Sequence, residues 1–227
     1  MAKQSVIAFD LVGTLLDLSV LDAAFGEEFG NGRIRREWFS EVQQLMFSIT
    51  ALGGYESFAN ITESALKIIE ERHQKELSLA KKKHILEGLR ELPAFPDVSA
   101  ALERLQRDGH RLIVLTNSGS SNAKQLIDSA GLGTFFAEVL SSESVKRLKP
   151  APDAYQMAAK KSGVKAKDLL LVAAHSWDVA GAKEAGCRTC FVQRPEQILN
   201  DLTPKPDFVV ADIGELADRL EKEKRAA

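Results

Sequence analysis

Beyond Pro96 the chain alternates short, unbroken apolar runs with amphipathic stretches, and this alternation narrows the fold more than any other feature. SAALERLQRDG spaces its apolar residues for a helix closed by Gly109, and RLIVLTN follows as a buried strand. The pattern continues with SNAKQLIDSAGL (helix), FAEVLSS (short strand), PDAYQMAAKKSG (helix, Pro152 near its start) and LLLVAAH (strand). It closes with SWDVAGAKEAG (helix), RTCFVQ and PDFVVA (strands) and IGELADRLEKEK (helix). Fully apolar strands between amphipathic helices need cover on both faces, which predicts a parallel sheet in an α/β, Rossmann-like doubly wound core.

One stretch breaks the rule. SVIAF, within residues 4–9, reads as a first buried strand, but residues 18–90 carry almost no strand signal. Apolar spacing there predicts helices over 20–30, 33–52, 56–73 and 75–90, before Pro93 and Pro96 interrupt the pattern. The expected organisation is a core of 1–17 and 91–227 with a helical cap of 18–90 inserted after the first strand.

The 227 residues are 44% apolar with a net charge of -2, so neither general disorder nor a global basic field for nucleic acid is expected. AKKKH at 80–84 reads as a solvated helix face. No stretch approaches the roughly 20 apolar residues of a membrane span, and the first apolar run is short for a secretory signal. A cytoplasmic protein without membrane or nucleic-acid partners follows as the expectation. Cys187 and Cys190 have redox-like spacing, but GCRTCFV reads as a strand, where positions three apart face opposite sides.

In doubly wound sheets ligands bind beyond the carboxyl ends of the strands. Those ends carry Asp10 and Thr14; Thr116, Asn117 and Ser118; Lys149; and His175 to Asp178. A carboxylate, hydroxyls, a lysine and a second carboxylate on successive strands make a chemically specific set. Asp10 follows a buried strand, where a carboxylate is costly without partners or a task. Taken alone, Thr116 and Asn117 could cap a helix, and Asp178 could face a helix macrodipole.

The motifs DLVGT at 10–14, VLTN at 114–117, KPAPDAY at 149–155 and WDVAGA at 177–182 together resemble the haloacid dehalogenase superfamily. Phosphatases of that superfamily look like D-x-D, with a second Asp as proton donor, and carry a G-D-x-x-x-D motif for magnesium. Here those places hold Val12, which transfers no proton, and Ala174, which binds no cation. The departures make the chain most similar to the (S)-2-haloacid dehalogenases (type II), which look like D-x-[YVL]-G-T and need no metal or other cofactor.

That resemblance implies a hydrolase converting 2-haloalkanoic acids to 2-hydroxy acids through an ester on Asp10. It implies Lys149 as the cation keeping Asp10 ionised and Asp178 as its orienting partner. Thr14, Thr116 and amides near Leu11 and Ser118 would hold substrate or nucleophile. Asn117, an arginine early in the cap (Arg33) and a cap aromatic (Phe58) would cradle the halide. His175 stands where these enzymes look like Asn, and an imidazole there could orient or deprotonate the hydrolytic water. The implied partner besides the substrate is a second copy in a homodimer. Two other readings stay open on sequence: a phosphatase-type hydrolase with a different acid, and a non-catalytic capped module.

Overall fold

The computed structural model describes residues 5–226. The chain runs β1 (Val6–Phe9), α1 (Asp22–Phe29), α2 (Ile34–Ala51), α3 (Phe58–Arg72), α4 (Leu79–Gly88), α5 (Val98–Arg107) and β2 (Arg111–Thr116). There follow α6 (Ser120–Ser129), β3 (Glu138–Ser141), α7 (Pro152–Lys161), β4 (Leu169–Ala173), α8 (Ser176–Glu184), β5 (Arg188–Val192), β6 (Phe208–Val210) and α9 (Ile213–Ala226). The strand expected within 4–9 is thus β1; residue 4 lies outside the described residues. The four helices expected between 20 and 90 form, each one to four residues shorter at its ends, as fraying and capping dictate.

Among the described residues, six strands pair in parallel, in the order β3-β2-β1-β4-β5-β6. Side chains alternate across the pleat. Ile7, Phe9, Leu112, Val114, Leu170 and Val172 pack into one core cluster. Their neighbours Val6, Ala8, Ile113, Leu115, Leu169 and Leu171 pack into another on the opposite face. Helices cover both: α5 and α9 bury Leu102, Leu105 and Leu216 on the first, α7 buries Tyr155 and Ala158 on the second. Cys190 belongs to the first cluster and Cys187 to the second, so the two free thiols lie on opposite faces of the sheet.

β1 sits at the centre, between β2 and β4. Its carboxyl end therefore meets the ends of both neighbours, and α2 and α3 stand over the junction. Among the described residues, no helix is long and apolar enough to cross a membrane.

Candidate active site

Asp10 extends β1 by one residue, its N–H donating to Val172 O at 3.0 Å. The chain then turns tightly. Gly13 N–H donates to Leu16 O at 2.8 Å, and Leu15 and Leu16 both donate to Leu11 O. Gly13 takes a φ of +80°, a region costly for residues with a Cβ, and a Cβ there would lie 3.1 Å from the His175 ring. The turn carries Thr14 back over Asp10, where its hydroxyl donates to Asp10 Oδ2 at 2.7 Å while accepting Ala174 N–H at 2.9 Å.

Lys149 is fully buried, and its ammonium spends all three protons: on Asp10 Oδ1 (2.8 Å), Asp178 Oδ2 (2.6 Å) and Leu115 O (2.9 Å). A buried charge needs such complete pairing to be tolerated. Asp178, in the first turn of α8, has its other oxygen capped by Tyr155 Oη at 2.6 Å. His175, just before α8, places Nδ1 3.1 Å from Asp10 Oδ2.

Burial pushes Asp10, Asp178 and Lys149 toward their neutral forms, and charge decides the outcome. At Asp10, desolvation is outweighed by the Lys149 ammonium together with His175, so its carboxyl lies well below the usual carboxylate range. At Asp178, desolvation and the nearby Asp10 charge outweigh Lys149, and its carboxyl is raised. At Lys149, desolvation is overcome by the two carboxylates, which raise the ammonium. One cation between two carboxylates thus leaves Asp10 the firmly ionised member.

Asn117 is bound up in structure. Its Oδ1 accepts Lys149 N–H (2.8 Å) and Ser142 Oγ (2.8 Å), and its Nδ2 donates to Lys149 O (3.1 Å). It clasps the lysine's own peptide rather than offering a free amide. Thr116 Oγ1 likewise accepts the Ser118 N–H at 3.1 Å, so that amide is engaged. Asn117, Thr116 and Ser118 nonetheless line the same small cavity as Asp10, Lys149 and His175.

That cavity, of about 30 Å³, has apolar walls including Val12, Val42, Met46, Phe58 and Trp177. Helix α2 supplies Phe39, Val42, Gln43 and Met46, the i, i+3, i+4, i+7 stripe of one helical face. Arg33, expected to cradle a halide, precedes α2, is exposed, and does not line the cavity. Arg35 and Arg36 continue the stripe one turn earlier, where both pair with Glu196. Phe39, not an arginine, faces the cavity from this helix, its ring 6.0 Å from that of His175. Leu11 is buried and outside the lining, and Thr14 and Asp178 act on the cavity from behind Asp10 and Lys149.

Besides the α2 stripe, Tyr155 and Arg194 escaped the sequence reading. Tyr155 lay within the quoted KPAPDAY motif, but its distance from any strand end hid its contact with Asp178. Arg194, beyond β5, donates from Nε to Thr14 O at 3.0 Å and forks onto Asp97 at 2.7 and 3.1 Å, bracing the turn that follows Asp10.

The donor set does not suit magnesium. Lys149 occupies the space between the two carboxylates, and Val12 and Ala174 supply no oxygen. Among the described residues, no group of three or more His, Cys, Asp or Glu could hold a metal ion.

Residues 4–186 match the family described as haloacid dehalogenase-like hydrolase. The (S)-2-haloacid dehalogenase H-109 of Pseudomonas putida is 32% identical over 220 residues, covering 94% of this chain and 96% of the relative. The haloacetate dehalogenase H-2 of Moraxella sp. (strain B) is 30% identical, covering 92% and 95%. In fold, the chain is similar to the L-2-haloacid dehalogenase of Xanthobacter autotrophicus with chloropropionic acid covalently bound. The TM-score is 0.89 at 22% identity, over 96% of this chain and 99% of the other.

Proposed function

This chain belongs to the haloacid dehalogenase-like hydrolase family, and on that premise we propose that it hydrolyses the carbon–halogen bond of small 2-haloalkanoic acids to give 2-hydroxy acids. The observation that carries this reading is an Asp10 carboxylate held ionised beside a small cavity whose wall at position 12 is a valine. Such a site offers a nucleophile and no proton donor at the place a phosphatase needs one. Halide leaves without protonation, so the missing acid is no handicap to this reaction.

Asp10 attacks the halogen-bearing carbon, a new C–O bond forms, and the C–halogen pair departs with the halide. Water then adds to the Asp10 carboxyl carbon and releases the 2-hydroxy acid with carbon inverted. Lys149 keeps the nucleophile charged, and Asp178 and Tyr155 hold Lys149 in place. Phe58, Phe39, Met46 and Trp177 shape the space for the substrate's carbon chain and halogen, and the small volume favours two- and three-carbon acids. The helices between residues 18 and 90 serve as the cap, over a core of 1–17 and 91–227. The same reading places the enzyme in the cytoplasm, paired as a homodimer.

The test is halide release from both enantiomers of 2-chloropropionate with chelator present. Metal-independent release that disappears in Asp10→Asn supports the reading. Silence on haloacids alongside magnesium-dependent hydrolysis of a phosphate ester would replace it with a phosphatase.

A further inference from the structure

Given the proposed reaction on Asp10, the two oxygens of that carboxylate are not equivalent. A carboxylate oxygen has two in-plane lone pairs. Both on Oδ2 are engaged, one by the Thr14 hydroxyl at 2.7 Å and one by His175 Nδ1 at 3.1 Å. Among the described residues, Oδ1 accepts only from Lys149 Nζ, at 2.8 Å, which leaves one pair free. We propose that Oδ1 is the attacking oxygen, and that Thr14 and His175 form the oxyanion site on Oδ2 for hydrolysis of the ester.

The hydrogens are fixed by what each atom can do. An ionised carboxylate only accepts. Thr14 Oγ1 already accepts the Ala174 N–H, so its own hydrogen turns to Asp10. His175 Nδ1 likewise carries its hydrogen toward Oδ2. The other ring nitrogen, Nε2, is buried with no hydrogen-bond partner among the described residues and packs against Gly13, where an added Cβ would be 3.1 Å away. The nitrogen able to take a proton therefore faces Gly13 and not the carboxyl carbon that water attacks. His175 acts as a donor, which replaces the expected role of water base. Its ring is held for that task, stacked on Trp177 with centroids 5.3 Å apart and 26° between planes.

In the first step an Oδ1 lone pair forms the bond to carbon, and the halide takes the C–halogen pair and the charge. Oδ2 becomes the ester carbonyl. Water adding to the carboxyl carbon drives the carbonyl pair onto Oδ2, where Thr14 and His175 receive the charge. As that pair returns, the bond from carboxyl carbon to Oδ1 breaks. Oδ1 leaves as the product hydroxyl, carrying one of the water's two protons. The other proton is released as Asp10 re-ionises with the water oxygen in place of Oδ1. Preformed donors at the oxygen where charge develops are the common device for such steps.

Rapid mixing with (S)-2-chloropropionate, following halide, hydroxy acid and protein-bound ester, tests the assignment in wild type, His175→Ala and His175→Asn. In His175→Ala the first halide should appear within about threefold of the wild-type rate, followed by turnover slowed about 100-fold with ester accumulating. His175→Asn, whose amide can still donate, should restore turnover to within about tenfold of wild type. Unchanged turnover in His175→Ala, or His175→Asn as slow as His175→Ala, overturns the donor role. A crystal structure of the wild-type ester decides independently of whether the variants fold. Ester at Oδ1 with its carbonyl facing Thr14 and His175 supports the proposal, and ester at Oδ2 overturns it. A wild type that yields neither halide nor ester overturns the proposed function itself, and this assignment with it.

Discussion

Lys149 Nζ lies 2.8 Å from Asp10 Oδ1, across a sequence separation of 139 residues, with the lysine side chain only 1% exposed. The contact joins the first strand to the segment after β3, and through Asp178 to α8. It is both the charge control of the site and a buried ion network, and the two roles have separable consequences.

Replacing Lys149 with Met leaves two buried carboxylates facing each other without a cation. Such uncompensated charge costs about 3–5 kcal/mol. Urea unfolding should show a loss of that size, and halide release should fall below detection. A variant as stable as wild type would contradict the pairing described above.

The depressed Asp10 carboxyl fixes an acid limit. Its stabilising contribution is present above the ordinary carboxylate value of 3.8 and is lost as pH falls through its lower folded value. Asp178 works in the opposite direction, because a raised carboxyl costs stability once ionised. The rate of first halide release should therefore be flat from about pH 5 to about pH 8, in stopped-flow measurements with a halide indicator. An acid limb centred near pH 6 that persists in both Asp178→Asn and His175→Asn would mean that Asp10 is not the ionised nucleophile.

Tyr155 caps the Asp178 oxygen that Lys149 leaves free, at 2.6 Å. Tyr155→Phe deletes one hydrogen bond to a charged group, worth about 1.5–3 kcal/mol. The melting temperature should drop, and kcat should fall by roughly tenfold with KM little changed, since the hydroxyl acts through Asp178 and Lys149.

Cys187 and Cys190 are both buried, the first with its thiol pushed up to about 11 and the second higher still, in each case chiefly by desolvation. Neither should react with a disulfide reagent at neutral pH until the protein unfolds, when both should titrate. Rapid labelling of the native chain would contradict their burial.

The sheet was legible because strands covered on both faces must be apolar throughout, and LLLVA, RLIVL and VIAF leave no alternative. The strand-end rule then located Asp10, Thr14, Lys149, His175 and Asp178, which the fold draws into one hydrogen-bonded group. Arg33 illustrates where such reasoning stops. Choosing an arginine by its place in a motif ignored the helical face, and the stripe of Phe39, Val42, Gln43 and Met46 was the signal to follow. Asn117 lines the cavity, but its side chain is spent on Lys149's peptide, a contact set by how two loops meet. Tyr155 and Arg194 reach the site from elements whose approach only the folded packing determines.

The most direct test of Asp10 as the nucleophile is mass analysis of enzyme quenched during turnover of 2-chloropropionate. The account predicts a covalent adduct of one substrate less its halide, mapped by peptide sequencing to Asp10 and absent from Asp10→Asn. Halide release in the wild type with Asp10 unmodified at every time point, and undiminished in Asp10→Asn, would contradict it.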